Sequence, residues 1–162
     1  MSSSHIDQVV EALRQRFGEK ILEVTPPKPR DLVVRVGAED LLAVVSYLRD
    51  VQGFDYFLSV TGVDYPPDRI EVVYHLSSID AGDLLTLKVF LPRENSVIPS
   101  VTGLWKAANW QEREAYDLMG IVFSGHPDLR RIFLTDEVGV SGHPLRKDWV
   151  DITGHVIKRP EE

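Results

Sequence analysis

Three strand-like runs follow one another in the middle of the chain, over Tyr56–Val63, Ile70–Leu76 and Leu84–Leu91. The turn-type tetrapeptides Tyr65-Pro66-Pro67-Asp68 and Asp80-Ala81-Gly82-Asp83 part them. In the middle run, Ile70, Val72, Tyr74 and Leu76 alternate with Glu71, Val73 and His75, the period of two that gives a strand two different faces. Parallel neighbours need a long crossover, whereas these connections are short, so the spacing predicts an antiparallel meander. Upstream, Ile6, Val9, Val10, Leu13 and Phe17 fall at helical spacing, with Gly18 as a stop. A second helix is expected from about Glu39 to Asp50, with Leu41, Leu42, Val45 and Leu48 along one face and Gly53 just past its end.

Between the two helices, residues 20–25 and Leu32–Val36 read as two strands of a hairpin. The intervening Pro26-Pro27-Lys28-Pro29 is expected as a turn, because prolines cannot donate to a ladder. The fold class is therefore α+β in two layers: a mixed or antiparallel five-stranded sheet with helices on one face, followed by an extended irregular C-terminal segment. Residues 1–95 form the sheet unit of this reading. Residues 96–162 form a helix and docking segment of the same single domain, with the helix expected over Val101–Met119. From Gly120 onward no strand or helix pattern of useful length is visible. Such a segment must lie along a surface, its own or a partner's, to satisfy its backbone.

The chain has 162 residues, enough to bury about 70% of its unfolded surface without a staple. It carries 18 Lys and Arg against 25 Asp and Glu, a formal net charge of −7, the wrong balance for a binder of nucleic-acid backbones. With no cysteine it can supply neither a catalytic thiol, nor a Cys-ligated zinc, nor a Cys-held iron–sulfur cluster. No apolar run approaches the ~18 residues of a membrane span, and the start, Met1-Ser2-Ser3-Ser4-His5, does not read as a signal peptide. Neither nucleotide-loop motif is present, nor a nucleophile elbow.

Two constellations could carry chemistry. In Glu112-Arg113-Glu114-Ala115-Tyr116-Asp117, helical spacing would let Arg113 pair with Asp117. Glu114 and Asp117 could share a metal or act as acid and base, although a solvated or partner-facing charged surface is the blander and preferred reading. The second is a near-repeat. Gly125-His126-Pro127-Asp128-Leu129-Arg130-Arg131 is followed by Gly142-His143-Pro144-Leu145-Arg146-Lys147-Asp148. Proline fixes its own φ and restricts the histidine before it, so each unit is a corner that aims a His and then presents basic groups. A metal site from His126, His143 and His155 with Asp128 or Asp148 is conceivable, but without a tight ligand spacing the preferred reading is that these groups satisfy an irregular backbone. His75 reads as structural, and Trp105 and Trp110 as core or interface anchors.

The stretch from Trp105 to Trp149 resembles the 30 kDa subunit family of respiratory complex I, the proton-pumping NADH–quinone oxidoreductase. The resemblance is carried by residues 112–121, Phe123, 125–132 and 142–148, with weaker likeness at 89–93, 99–101 and 74–76. Trp149 stands where a tyrosine is usual, and residues 135–141 replace a shorter link. The resemblance implies a structural subunit of the peripheral, quinone-reducing arm that holds no cofactor of its own. NADH, FMN, iron–sulfur clusters and quinone would then sit in partner subunits. It further implies a hetero-oligomer with the large quinone-site subunit and the iron–sulfur subunits, peripheral on the cytoplasmic side of the cell membrane. The partner interface is expected at Glu112, Arg113, Glu114, Tyr116, Asp117, His126, Pro127, Arg130, Arg131, His143, Pro144, Arg146, Lys147 and Asp148. Two alternatives remain: the equivalent subunit of an energy-converting hydrogenase, and a stand-alone metal-dependent hydrolase.

Overall fold

A computed structural model describes residues 4–28, 30–134 and 141–150. The element order is α1 (His5–Phe17), β1 (Ile21–Lys28), β2 (Asp31–Val36), α2 (Leu41–Asp50), β3 (Tyr56–Tyr65), β4 (Arg69–Ser78), β5 (Asp83–Pro92), β6 (Val97–Pro99), α3 (Ala108–Met119) and β7 (Val122–Ser124), with short 3₁₀ turns before β1 and α2. Helix α1 starts at a reciprocal cap: Ser4 Oγ accepts from the Asp7 N–H, and the Asp7 carboxylate accepts from the Ser4 N–H. It ends at Gly18, whose φ of 53° lies in the region that glycine alone enters freely.

Five strands form one sheet in the order β1-β2-β5-β4-β3. Strands β3, β4 and β5 are the expected antiparallel meander, and β1 and β2 the expected hairpin. Parallel pairing of β2 with β5 joins the two units, so the sheet is mixed. The register places Leu32, Val34 and Val36 beside Leu85, Leu87 and Val89, and these beside Leu76, Tyr74 and Val72. All lie on one face and all are buried. Ile6, Val9 and Leu13 of α1 and Leu41, Val44 and Leu48 of α2 join the same core, which makes the second layer. Burying each such aliphatic side chain contributes roughly 1.5–3 kcal/mol.

Three elements depart from the sequence reading. Pro26, Pro27 and Lys28 belong to β1 rather than to the turn. Strand β1 is the sheet edge, and its register shifts between Thr25 and Lys28, conditions under which missing N–H donors are tolerated. Pro29 lies outside the described residues. The last helix begins at Ala108, not Val101. Residues 101–107 instead make successive turns in which Leu104 and Trp105 both donate to the Val101 carbonyl. Finally, β6 and β7 form a small parallel pair that the sequence did not mark, with β7 inside the segment read as patternless from Gly120 onward.

One core runs through both halves of the chain. Ile98, Val101, Trp105, Ala108, Ala115, Met119, Ile121 and Phe123 pack into the same cluster as the sheet. Helix α3 lies against β3, the other edge strand. There Gln111 acts as an extra rung: its Oε1 accepts from the Val60 N–H at 2.8 Å and its Nε2 donates to the Leu58 carbonyl at 3.3 Å. The approach is close enough that a Cβ on Gly62 would meet Ile121 Cδ1 at 2.7 Å.

Candidate partner interface

Helix α3 is the strut on which the C-terminal segment is hung. Glu112 and Asp117, both at 0% exposure, serve two different loops from it. Glu112 accepts from the Val101 N–H at 2.7 Å and the Ser100 hydroxyl at 2.6 Å, fastening the loop before the helix. Burial pushes its carboxyl above the usual range, against those two hydrogen bonds. Asp117 Oδ2 accepts three successive backbone N–H groups, from Ile132, Phe133 and Leu134, at 2.9, 2.7 and 3.0 Å. Its Oδ1 faces Arg131 Nε at 3.7 Å. Burial alone would raise the Asp117 carboxyl, but the three N–H groups and Arg131 outweigh it and hold the carboxyl below its ordinary value.

The two Gly-His-Pro corners dock at opposite ends of this helix. Gly125 and Gly142 share a φ of 81°. His126 Nδ1 accepts the Asp128 N–H at 3.0 Å, so its Nε2 carries the proton and donates to the Asn109 carbonyl at 3.1 Å. His143 donates from Nδ1 to the Asp117 carbonyl at 3.0 Å. Burial holds the His143 imidazole below its usual value; the Asp117 carbonyl opposes this, and Arg146 and Arg131 add to it. Arg146 Nε donates to the Met119 carbonyl at 2.8 Å, and the Leu145 N–H to the Leu118 carbonyl at 3.0 Å. Gly120, at φ 73°, ends α3 and leaves room for the second corner, since a Cβ there would meet His143 Nε2 at 2.5 Å.

A third fastening holds the segment to the sheet. Arg93 grips buried Asp64 with two nitrogens, at 2.7 and 3.0 Å, and also bonds Asp148. Asp64 in addition accepts the Lys147 N–H at 2.8 Å. The Arg93 guanidinium is the chief reason the Asp64 carboxyl lies below its ordinary value. The Lys147 ammonium sits 5.6 Å from the Tyr65 ring centroid.

The anticipated residues thus converge, but not all in the anticipated way. Arg113 does not pair with Asp117. It donates to the Arg130 carbonyl at 3.3 Å and lies 3.8 Å from Asp128, while Asp117 is taken up by the backbone just beyond, at 132–134 of the same segment. Glu114 is exposed while Asp117 is buried, so they share no site. Glu112, Arg113 and Asp117 are neither solvated nor outward-facing. Tyr116, His126, Pro144 and Arg146 are partly buried, while Pro127, Arg130, Lys147 and Asp148 are exposed. Arg131 donates to the Gly142 carbonyl at 3.1 Å and so ties the two corners together. Among the described residues no three His, Asp or Glu form a metal-holding group. His126 has no ring nitrogen left to ligate one, which removes it from the hydrolase reading; His155 lies outside the described residues. Trp105 is a core anchor, donating to the Asp55 carbonyl at 2.9 Å, and His75 bonds Ser59 on the free sheet face. Asp64, Asn109 and Gln111 are fastening residues that no sequence motif marked.

Residues 34–155 match the family model described as the 30 Kd subunit of respiratory-chain NADH dehydrogenase. The chain belongs to this family. An NADH-quinone oxidoreductase subunit from Moorella thermoacetica is 46% identical over 89% of this chain and 95% of its own length. Another NADH-quinone oxidoreductase subunit, from Rhizobium meliloti, is 47% identical over 97% of this chain and 78% of its own. Among solved structures, a trypsin-resistant fragment of Nqo5 is 32% identical and superposes with a TM-score of 0.66, covering 77% of this chain and 99% of the fragment. A chain of the membrane-bound sulfane sulfur reductase, an archaeal respiratory membrane complex, superposes with a TM-score of 0.78 at 25% identity, over 96% of this chain and 95% of its own. The 30 Kd family resemblance and the α+β fold read from the sequence are thereby established. No described helix is long and apolar enough to cross a membrane.

Proposed function

We propose that this 30 Kd-family chain is a non-redox structural subunit of the peripheral, quinone-reducing arm of an NADH–quinone oxidoreductase. In that arm it supports electron transfer from NADH to quinone coupled to ion pumping. One observation carries the reading. Glu112, Asp117, His126 and His143, the groups best suited to proton transfer, are all bonded within the chain, each of them to its backbone. Groups used this way set the path of a segment rather than act on a substrate. Outside them, Trp110, Arg130, Phe133 and Leu145 remain exposed as a rim for a partner. On this reading NADH, FMN, iron–sulfur clusters and quinone belong to other subunits, and the chain sits on the cytoplasmic side of the membrane. A second reading, the equivalent subunit of a different respiratory membrane complex, is favoured by the superposition over nearly the whole chain on the sulfane sulfur reductase complex.

Gentle purification from native membranes tests the proposal. The expected result is a multi-subunit complex with NADH–quinone reductase activity, and an isolated chain with no flavin band, no stoichiometric metal and no activity. A complex lacking any NADH-oxidising module would select the second reading. A metal or flavin retained by the isolated chain would refute both.

A further inference from the structure

Beside the first corner lies an open cleft of about 740 Å³, lined among others by Lys106, Trp110, Arg113, Pro127, Asp128 and Arg130. Three cations face one carboxylate there, in a chain whose net charge is −7. Two further observations show that the cleft is incomplete by itself. The Arg113 side chain is only 6% exposed, yet its nearest carboxylate oxygen is 3.8 Å away, and among the described residues its sole hydrogen bond is from Nε. Its terminal nitrogens therefore have no partner of hydrogen-bond length among those residues, and with the rest of the side chain buried they are the part left open to a partner. Trp110 stacks against that same guanidinium, 4.8 Å from ring centroid to Cζ, while 65% of the tryptophan stays exposed. An arginine braced by an exposed tryptophan in a concave site is the composition of an interface hot spot.

We propose that this cleft receives an acidic segment of another subunit, one of whose carboxylates bonds Arg113 while a second meets Lys106 and Arg130. The proposal rests on the interface reading above and adds the chemistry of what docks. The planar guanidinium fork matches a carboxylate with two parallel bonds, and the ring beneath it excludes water from one side. Asp128 holds Arg130 Nε at 3.0 Å and so aims the outer arginine across the mouth of the cleft.

Zero-length carbodiimide coupling on the purified complex, followed by peptide mapping, tests this, because the reagent joins an amine only to a carboxylate in contact with it. The expected product links Lys106 to an Asp or Glu of another subunit, and Lys106 in the complex resists an amine-acetylating reagent that modifies it in the isolated chain. The exposed-site variants Lys106→Glu and Trp110→Ala should each keep the wild-type melting point within a few degrees. Each should lower recovery of the chain with the complex by roughly thirtyfold or more, the loss expected when one side of a buried charge pair or a hot-spot aromatic is removed. Free acetylation of Lys106 in a complex that contains the chain would overturn the cleft proposal and leave the subunit reading standing. Protection of Lys106 with no cross-linked subunit would assign the cleft to a small anion and likewise overturn it. A chain that co-purifies with no other subunit would overturn the interface reading itself.

Discussion

The two Gly-His-Pro corners begin alike and end differently. Each opens on a glycine at φ 81°, each turns on a His-Pro pair, and each sets its histidine on a backbone carbonyl of α3. They part after the proline. In the first, Arg130 swings outward with 72% of its side chain exposed and, among the described residues, its guanidinium pairs with Asp128 alone. In the second, Arg146 turns inward onto the Met119 carbonyl and the next backbone N–H is taken by Asp64. The same short motif therefore makes a presenting corner at one end of the helix and a fastening corner at the other. The difference comes from what surrounds each: open cleft beside the first, and Gly120, Leu118 and the Arg93–Asp64 pair beneath the second.

The largest expected effect lies between the corners. Asp117→Ala leaves three partly buried N–H groups without their acceptor, at ~1 kcal/mol or more each, and empties a fully buried site, so the melting temperature should fall by roughly 6–12 °C. Because the folded Asp117 carboxyl lies below the ordinary 3.8, its stabilising contribution is complete above that pH and is lost as pH falls through the folded value. An acid melt in which wild type and variant stay equally far apart well below pH 3 would refute this. Glu112 has the opposite slope. Its carboxyl is raised above 4.5, so the charged form costs stability near neutrality and the cost is relieved on acidification. Glu112→Ala should cost about 2 kcal/mol, Glu112→Gln less. The gap between wild type and the Gln variant should shift in favour of wild type as pH drops toward 4.5.

Histidine truncations probe the corners directly. His143→Ala should cost about 1–1.5 kcal/mol and His126→Ala about 0.5–1, because only the second corner packs its ring over Gly120. Equal losses would erase the distinction between fastening and presenting. The folded His143 imidazole lies below 6.5, so its neutral form is the native one and its contribution should fade as pH falls from 6.5 toward the folded value. The smallest effect belongs to Arg130→Ala. An exposed ion pair contributes ~0–1 kcal/mol, so stability should barely change, and only recovery with the complex should drop. A large fall in melting temperature would make the first corner structural after all.

The sheet was legible because period-two alternation depends only on neighbours, as in Ile70–Leu76. The family resemblance was legible because its three segments sit at set intervals. What escaped depends on tertiary placement. Pro26 and Pro27 looked like turn residues because nothing local reveals that β1 is an edge. Val101 and Trp105 sit at helical spacing from Ala108, yet the loop is fixed by Glu112, eleven positions from Val101. The helical i, i+4 rule suggested an Arg113–Asp117 pair because it considers only the helix surface, whereas both side chains face loops contributed from later in the chain. Asp64 carried no signal, since its partner Lys147 lies 83 residues away.

The strand order has a consequence for synthesis. Strand β5 is the last of the five sheet strands to leave the ribosome, yet it occupies the middle, between β2 and β4. Until Pro92 has been made, the β1–β2 hairpin and the β3–β4 hairpin have no ladder to join them, and β2 and β4 each present a row of unpaired backbone groups beside bare apolar side chains. Two such open edges on one nascent chain invite pairing with each other in the wrong order, or with a neighbour's. Closing the parallel ladder also bridges the whole of α2, β3 and β4, so it draws on long-range contacts and is slow relative to the local hairpins. Ribosome-bound chains that stop before β5 should therefore be the aggregation-prone species, and those that extend past β5 should become protease-resistant within a short span of added residues.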